Sequence, residues 1–205
     1  KGFYINQMKY IKGKSRDFTY KDIVLSQERR AIRKNKKNIN IDLSGIAKGY
    51  SVDLIASYLK SININNFLIN IGGEIKVSKE NDEVFKVSID DPSGNKQTIE
   101  DIFLTNEAVA TSGTYQDFVE YKGKEISHIV NPKKLENISD LSLLVTVIHE
   151  NCTTADALAT GLIAMDHDKI INFANSNNIA LMYLRNKDGN LEKKFSKSFI
   201  KYLSE

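Results

Sequence analysis

A carboxylate and a hydroxyl stand four residues apart in the run Asn151-Cys-Thr-Thr-Ala-Asp-Ala-Leu-Ala-Thr160. In a helix, Asp156 and Thr160 would project from adjacent turns of one side. Two oxygens held that way can share one hard cation. The apolar residues Ala155, Leu158, Ala159, Leu162 and Ile163 have the spacing of a single buried helix face, so a helix is predicted. The same residues admit a second reading, in which Thr153 and Asp156 form an N-terminal capping pattern. A second polar cluster, Asp42-Leu-Ser-Gly-Ile-Ala-Lys-Gly49, precedes another expected helix. Gly45 lets backbone come close to a ligand, the helix start offers unpaired N–H groups, and Lys48 adds a charge, a combination suited to a phosphate. Asp42 and Ser44 as caps, with Lys48 on the surface, account for it equally. The spacing is not that of a P-loop, which needs Gly-Lys-Ser/Thr at its end. His128 stands just before the turn signal Asn131-Pro132. Its imidazole can face a cleft and accept a proton from an attacking hydroxyl, or simply end a strand. His149 closes an apolar strand and His167 opens a helix, and neither is taken as a site residue.

These groups need a scaffold, and the chain supplies an alternating one. A helix is expected near 47–60, with Tyr50, Leu54, Ile55 and Tyr58 on one side. Strands are expected at 67–71, 84–89 and 143–148, the second closed by Asp90-Asp-Pro92. Gly72-Gly73 within Ile71-Gly-Gly-Glu-Ile75 reads as a bulge or as a place where a ligand lies against the backbone. A hairpin is expected around Lys122-Gly123, a helix over 168–175, and a turn at 186–190 between two last strands. Tight turns between neighbouring strands make the pairing antiparallel, with helices set against the sheet. The fold class is therefore α+β.

Composition excludes several functions. The 205 residues are 41% hydrophobic and 27% charged, with a net charge of +3. That is a globular domain with too little positive charge to imply nucleic acid. The basic run Arg29–Lys37 has no interleaved aromatics for stacking and reads as a solvated turn and strand. Cys152 is the only cysteine, so an internal disulfide and a cysteine-rich zinc site are excluded. No stretch approaches the roughly 20 apolar residues of a membrane span. The chain opens on Lys1, not Met, as a processed form or an excised piece would.

Six segments, taken in order, resemble the ApbE family, the FAD:protein FMN transferases. They are Asp42–Asp53, Asn70–Ile75, Val87–Pro92, Ala110–Gly113, His128–Pro132 and Ala155–Thr160. The resemblance implies a T-fold-like α+β architecture and a magnesium-dependent transferase. Such an enzyme moves FMN from FAD to a threonine hydroxyl of an acceptor flavoprotein and releases AMP; some members hydrolyse FAD instead. It implies metal ligation by the Gly45 carbonyl, Asp156 and Thr160. It places FAD contacts at Asp42, Lys48 and the backbone around Val130, and makes His128 the general base. It implies a bacterial periplasmic or surface location, with any membrane association coming through an upstream anchor. Three departures stand out. Asn131 and Thr114 occupy positions where Asp, and Asp or Asn, are usual. No Phe-Asp-Pro-Thr-like segment is present, so the chain is expected to be one domain over 1–205 lacking the family's N-terminal region. An FAD pyrophosphatase and a non-catalytic flavin-binding or assembly module are the alternatives.

Overall fold

The computed structural model describes residues 19–203 apart from 82, 92–96, 116–117, 122, 141–142 and 188–189. Pro92 and Lys122, named above in turns, lie outside the described residues. Among the described residues the first strands form a largely exposed hairpin, β1 (Ile23–Ser26) and β2 (Ala31–Lys34), whose second strand carries part of the basic run fully into solvent. Helix α1 (Ser44–Ser61) leads to the hairpin β3 (Phe67–Ile71) and β4 (Glu74–Ser78). Next come the ribbon β5 (Phe85–Asp90) and β6 (Thr98–Leu104), strand β7 (Ala108–Gly113), and the ribbon β8 (Phe118–Tyr121) and β9 (Lys124–Ser127). The short pair β10 (Val130–Asn131) and β11 (Glu136–Asn137) follows, then strand β12 (Leu143–His149), α2 (Cys152–Ile163), α3 (His167–Ser176), β13 (Ala180–Lys187) and β14 (Asn190–Phe195).

Six strands form the main sheet in the order β14-β13-β12-β7-β4-β3, and every neighbouring pair in it is antiparallel. The α+β expectation holds. Strand β12 is central and is buried on both faces, which is why it reads as an apolar run broken by Thr146 alone before His149. Leu143, Val145 and Val147 pack with Ala155, Ala159, Ile163 and Ile170 of α2 and α3. Leu144 and Ile148 face the opposite way, towards Val87, Ile89, Ile102 and Leu104 of the β5–β6 ribbon and towards Phe199. Thr146 interrupts the pattern and is satisfied by the Thr111 hydroxyl, 2.9 Å away on β7.

Two elements differ from the sequence reading. The first is α1, on which Tyr50, Leu54, Ile55 and Tyr58 are all exposed, while Gly49, Val52 and Ala56 are buried. The buried stripe is made of small residues because α2 lies very close. A Cβ built on Gly49 would sit 2.4 Å from the Cys152 carbonyl oxygen, and one on Gly45 would sit 2.9 Å from Thr160 Cγ2. The contacts run Gly45 to Thr160 and Gly49 to Cys152, so the helices are antiparallel. The second is Gly72-Gly73, which is a two-residue hairpin turn and not a bulge. Ile71 pairs with Glu74, and both glycines have positive φ, at 61° and 102°. That is the turn whose twist suits a right-handed hairpin, and it requires residues free of a Cβ penalty.

Candidate functional site

The start of α1, the middle of α2, the end of β7, the start of β4 and the segment 128–130 converge on a pocket of about 490 Å³. Its lining contains all seven residues singled out from the sequence: Asp42, Gly45, Lys48, His128, Val130, Asp156 and Thr160. It also contains Glu74 and Ser112, which sequence reasoning passed over.

The capping reading of Asp156 fails on geometry. The start of α2 is held from another helix: Asp53 of α1 accepts from the Cys152 N–H at 3.0 Å, the Thr153 N–H at 2.9 Å and the Thr153 hydroxyl at 2.7 Å. Lys76 adds an ion pair to Asp53 at 3.1 Å and donates to the Glu150 carbonyl at 2.6 Å. Burial works to raise the Asp53 pKa. The Thr153 and Cys152 hydrogen bonds and Lys76 outweigh it and hold the carboxyl below its ordinary value. Asp156, freed from capping, is only 2% exposed, and its Oδ2 accepts the Gly49 N–H at 2.9 Å. An uninterrupted helix directs that N–H at the carbonyl four residues back, which is Gly45. The Gly49 N–H thus stands between the Asp156 carboxylate and Gly45, which ties both to one place on the wall of the pocket. Thr160 Oγ1 stands 3.0 Å from Ser112 Oγ on β7, which fixes its rotamer beside Gly45.

The donors brought together here are a carboxylate, a hydroxyl and a carbonyl, all oxygen. Among the described residues no group of three His, Cys, Asp or Glu is placed to hold a metal. The set suits a hard divalent cation that keeps several waters and does not suit a zinc-like ion, which takes nitrogen and sulfur. The absence of a side chain at Gly45 is part of the fit, because a Cβ there would fill the space beside Thr160.

The other wall carries charge. Asp42 Oδ1 accepts from the Ser44 N–H at 2.8 Å and the Ser44 hydroxyl at 2.6 Å, and these bonds, the side-chain one foremost, hold its pKa below the ordinary value. Asp42 therefore steadies the chain just before α1 while lining the pocket. Lys48 Nζ lies 2.8 Å from Glu74 Oε1 and 2.7 Å from Oε2. Glu74 is 1% exposed. Burial raises its pKa, Lys48 opposes this, and the Asp156 charge reinforces it. The carboxylate reaches this position because the glycine turn starts β4 at Glu74, and the Lys48 stem runs beside Gly72.

His128 is exposed between two buried neighbours, Ser127 and Ile129. Ser127 N–H donates to the Ile138 carbonyl at 3.0 Å, and Ile138 N–H donates to the Ile129 carbonyl at 2.9 Å. The alternation of an extended chain then turns the residue between them outward, onto the pocket rim. Asn131 does not contribute to the pocket lining. Its Oδ1 accepts from the Lys133 and Lys134 N–H groups at 2.9 and 3.0 Å, the turn role an aspartate would fill. Thr114 is buried and accepts the Leu143 N–H at 3.1 Å, a structural bond. Cys152 is buried and its thiol is pushed up to about 12, chiefly by burial, so it is not a nucleophile. His149 Nδ1 accepts the Asn151 N–H at 3.0 Å, and His167 lines a separate cleft of about 500 Å³ with Asp140, Asp166 and Arg185.

Comparison with known proteins identifies the relatives of this chain. The ApbE family model matches residues 5–183. The FAD:protein FMN transferase of Vibrio cholerae is 34% identical over 184 residues, covering 88% of this chain and 55% of that protein. The enzyme of the same name from Haemophilus influenzae is 33% identical over 180 residues, covering 86% of this chain and 52% of its own length. Among solved structures, the flavin transferase ApbE from Vibrio cholerae aligns with a TM-score of 0.75 at 33% identity over 90% of this chain and 59% of that one. The ApbE protein from Thermotoga maritima aligns at 0.78 with 28% identity over 91% and 60%. The chain thus spans about half the length of the curated relatives it matches.

Proposed function

This chain belongs to the ApbE family, and on that premise we propose that its pocket carries out FMN transfer from FAD to a protein hydroxyl, with AMP as the leaving group. The observation that carries the proposal is that Gly45, Asp156 and Thr160 line one pocket together with Lys48 and His128. A pyrophosphate needs cations on its oxygens and a base near the incoming nucleophile.

In this reading Gly45, Asp156 and Thr160 hold a magnesium ion, which when bound neutralises phosphoryl charge and orients the phosphorus. Lys48, ion-paired with Glu74, offers N–H donors near the start of α1, and Asp42 and the backbone around Val130 bind the nucleotide. His128, outward-facing on the rim, takes the proton of the threonine hydroxyl as the new phosphoester bond forms. The bond between the two phosphorus atoms' bridging oxygen and the FMN phosphorus breaks, and AMP leaves with that oxygen. The imidazolium then returns its proton to solvent. The same residues would serve water as nucleophile, so what distinguishes transfer from hydrolysis is the acceptor protein. The test is incubation of the chain with FAD, magnesium and an acceptor protein, followed by chromatography of the nucleotides and intact-mass spectrometry of the acceptor. Flavin on the acceptor supports the proposal. Free FMN and AMP without labelled acceptor support the hydrolase, and FAD bound but intact supports a flavin-binding module.

A further inference from the structure

Glu74 has no role in the account so far, yet it is among the most deeply buried charged groups described and lies on the pocket wall. It is held there by a tight glycine turn, and Lys48 straddles both its oxygens at 2.7–2.8 Å. The Lys48 side chain is 46% exposed and Glu74 is 2%, so a buried carboxylate in the pocket wall is paired with a solvent-accessible ammonium. A surface lysine needs no buried partner to bind an anion, and burying a carboxylate is costly. The arrangement therefore does something other than supply positive charge: it cancels it. The charged lining residues are Asp42, Glu74 and Asp156 against Lys48, with His128 on the rim, a formal balance of −2 with neutral histidine. Without Glu74 the balance would be −1, and Lys48 would be an unopposed phosphate anchor.

We propose that Glu74 makes binding of a diphosphate conditional on a divalent cation, by neutralising Lys48 from within the protein and leaving the pocket too negative for a bare diphosphate. This rests on the reading of the pocket given above. In it, Glu74 is a positioning residue: it touches Lys48, not the substrate. The consequence is ordered assembly, since a dinucleotide enters with its cation and an incomplete site does not hold a metal-free ligand unproductively. The Glu74 carboxylate also fixes the ammonium beside the Gly72 carbonyl, 3.5 Å away, so that one rotamer of Lys48 serves the site.

The experiment measures FAD affinity by flavin fluorescence, in magnesium and in a chelator, for the wild-type chain, Glu74→Gln and Glu74→Asp. Inorganic pyrophosphate serves as a second, calorimetric probe. The wild-type chain is expected to bind FAD at least about 100-fold more weakly in chelator. In Glu74→Gln that ratio should shrink by about tenfold or more, mostly through tighter metal-free binding, the scale of one unit charge at short range in a partly solvated pocket. Glu74→Asp keeps the charge and should keep the wild-type ratio. An unchanged ratio in Glu74→Gln overturns the proposal. So does a wild-type chain that binds equally well in chelator, a result that stands even if the Gln variant does not fold. Failure of the flavin reading looks different: FAD binds in neither condition, while pyrophosphate still requires magnesium. If neither anion binds in either condition, both readings fall together.

Discussion

Gly49→Ala separates two opposite expectations. On an isolated helix the change should help, since alanine is favoured over glycine by about 1 kcal/mol inside a helix. In this structure the added Cβ would stand 2.4 Å from the Cys152 carbonyl oxygen and 2.8 Å from Asp156 Cβ. The carbonyl is backbone in the first turn of α2 and cannot swing aside, so the two helices must separate by roughly 1 Å to reach ordinary contact. Overpacking of that kind costs about 1–3 kcal/mol. The same shift stretches the buried Gly49 N–H to Asp156 Oδ2 bond from 2.9 Å beyond useful range. Leaving that pair unmade costs about a further 1–3 kcal/mol. Set against the propensity gain, the net loss is about 3 kcal/mol, and at about 2–4 °C per kcal/mol for a chain of this size the melting temperature should fall on the order of 6–12 °C. Because the displaced groups are Asp156 and, one turn on, Thr160, affinity for a divalent cation should fall with it. Calorimetric melting paired with a terbium luminescence titration reads both. A melting temperature that rises by about 2–4 °C, the bare propensity gain, with unchanged terbium affinity would refute the close packing and the cation assignment that depends on it.

Three further substitutions probe separate parts of the site. Asp156→Asn should retain an acceptor for the Gly49 N–H and melt close to wild type, while magnesium-dependent turnover drops by about 100-fold or more; full turnover would remove Asp156 from the cation site. His128→Asn should leave FAD binding largely intact, slow transfer by about 100-fold, and erase the low-pH limb of the rate profile. An unchanged rate and profile would leave His128 a rim residue without a proton to move. Asp53, whose carboxyl is held below its unfolded value of 3.8, contributes stability that is fully present above that value and is lost as pH falls through the lower folded one. Urea denaturation should therefore show Asp53→Asn less stable than wild type at pH 7, with the gap narrowing as pH falls below 3.8; a gap that does not narrow with falling pH would mean that the charge of Asp53 does not matter.

Much of the pocket was legible because its residues announce themselves by type and spacing. Asp156 and Thr160 four apart, and Lys48 following Gly45 at a helix start, carry their chemistry locally, and the chain brings them together. What decides between their alternatives is not local. Whether Asp156 caps its own helix depends on Asp53, about a hundred residues earlier in the chain, taking the capping role. Helix α1 misled for a related reason. Hydrophobicity marked Tyr50, Leu54, Ile55 and Tyr58, but a helix that must approach α2 to within backbone contact buries its small residues and turns the large ones out. Glu74 carries no signal when Gly72-Gly73 is taken as a bulge or as a place where a ligand lies against the backbone. A Gly-Gly pair between two apolar runs is also a hairpin signal, and that reading would have put Glu74 at the start of an inward-facing strand. The partnership of Ser112 with Thr160 had no local signal, since it depends on β7 lying beside α2.

In the proposed function one pocket breaks the FAD pyrophosphate and hands its FMN half to a protein. The most direct measurement is the ratio of AMP released to flavin bound covalently on an acceptor protein, followed over a long incubation so that even slow turnover accumulates. The expected result is one AMP for each flavin attached, with both products formed about 100-fold more slowly by Asp156→Asn and neither formed in chelator. AMP accumulating with free FMN while the acceptor stays unlabelled, or flavin attached at the same rate by Asp156→Asn, would contradict the account.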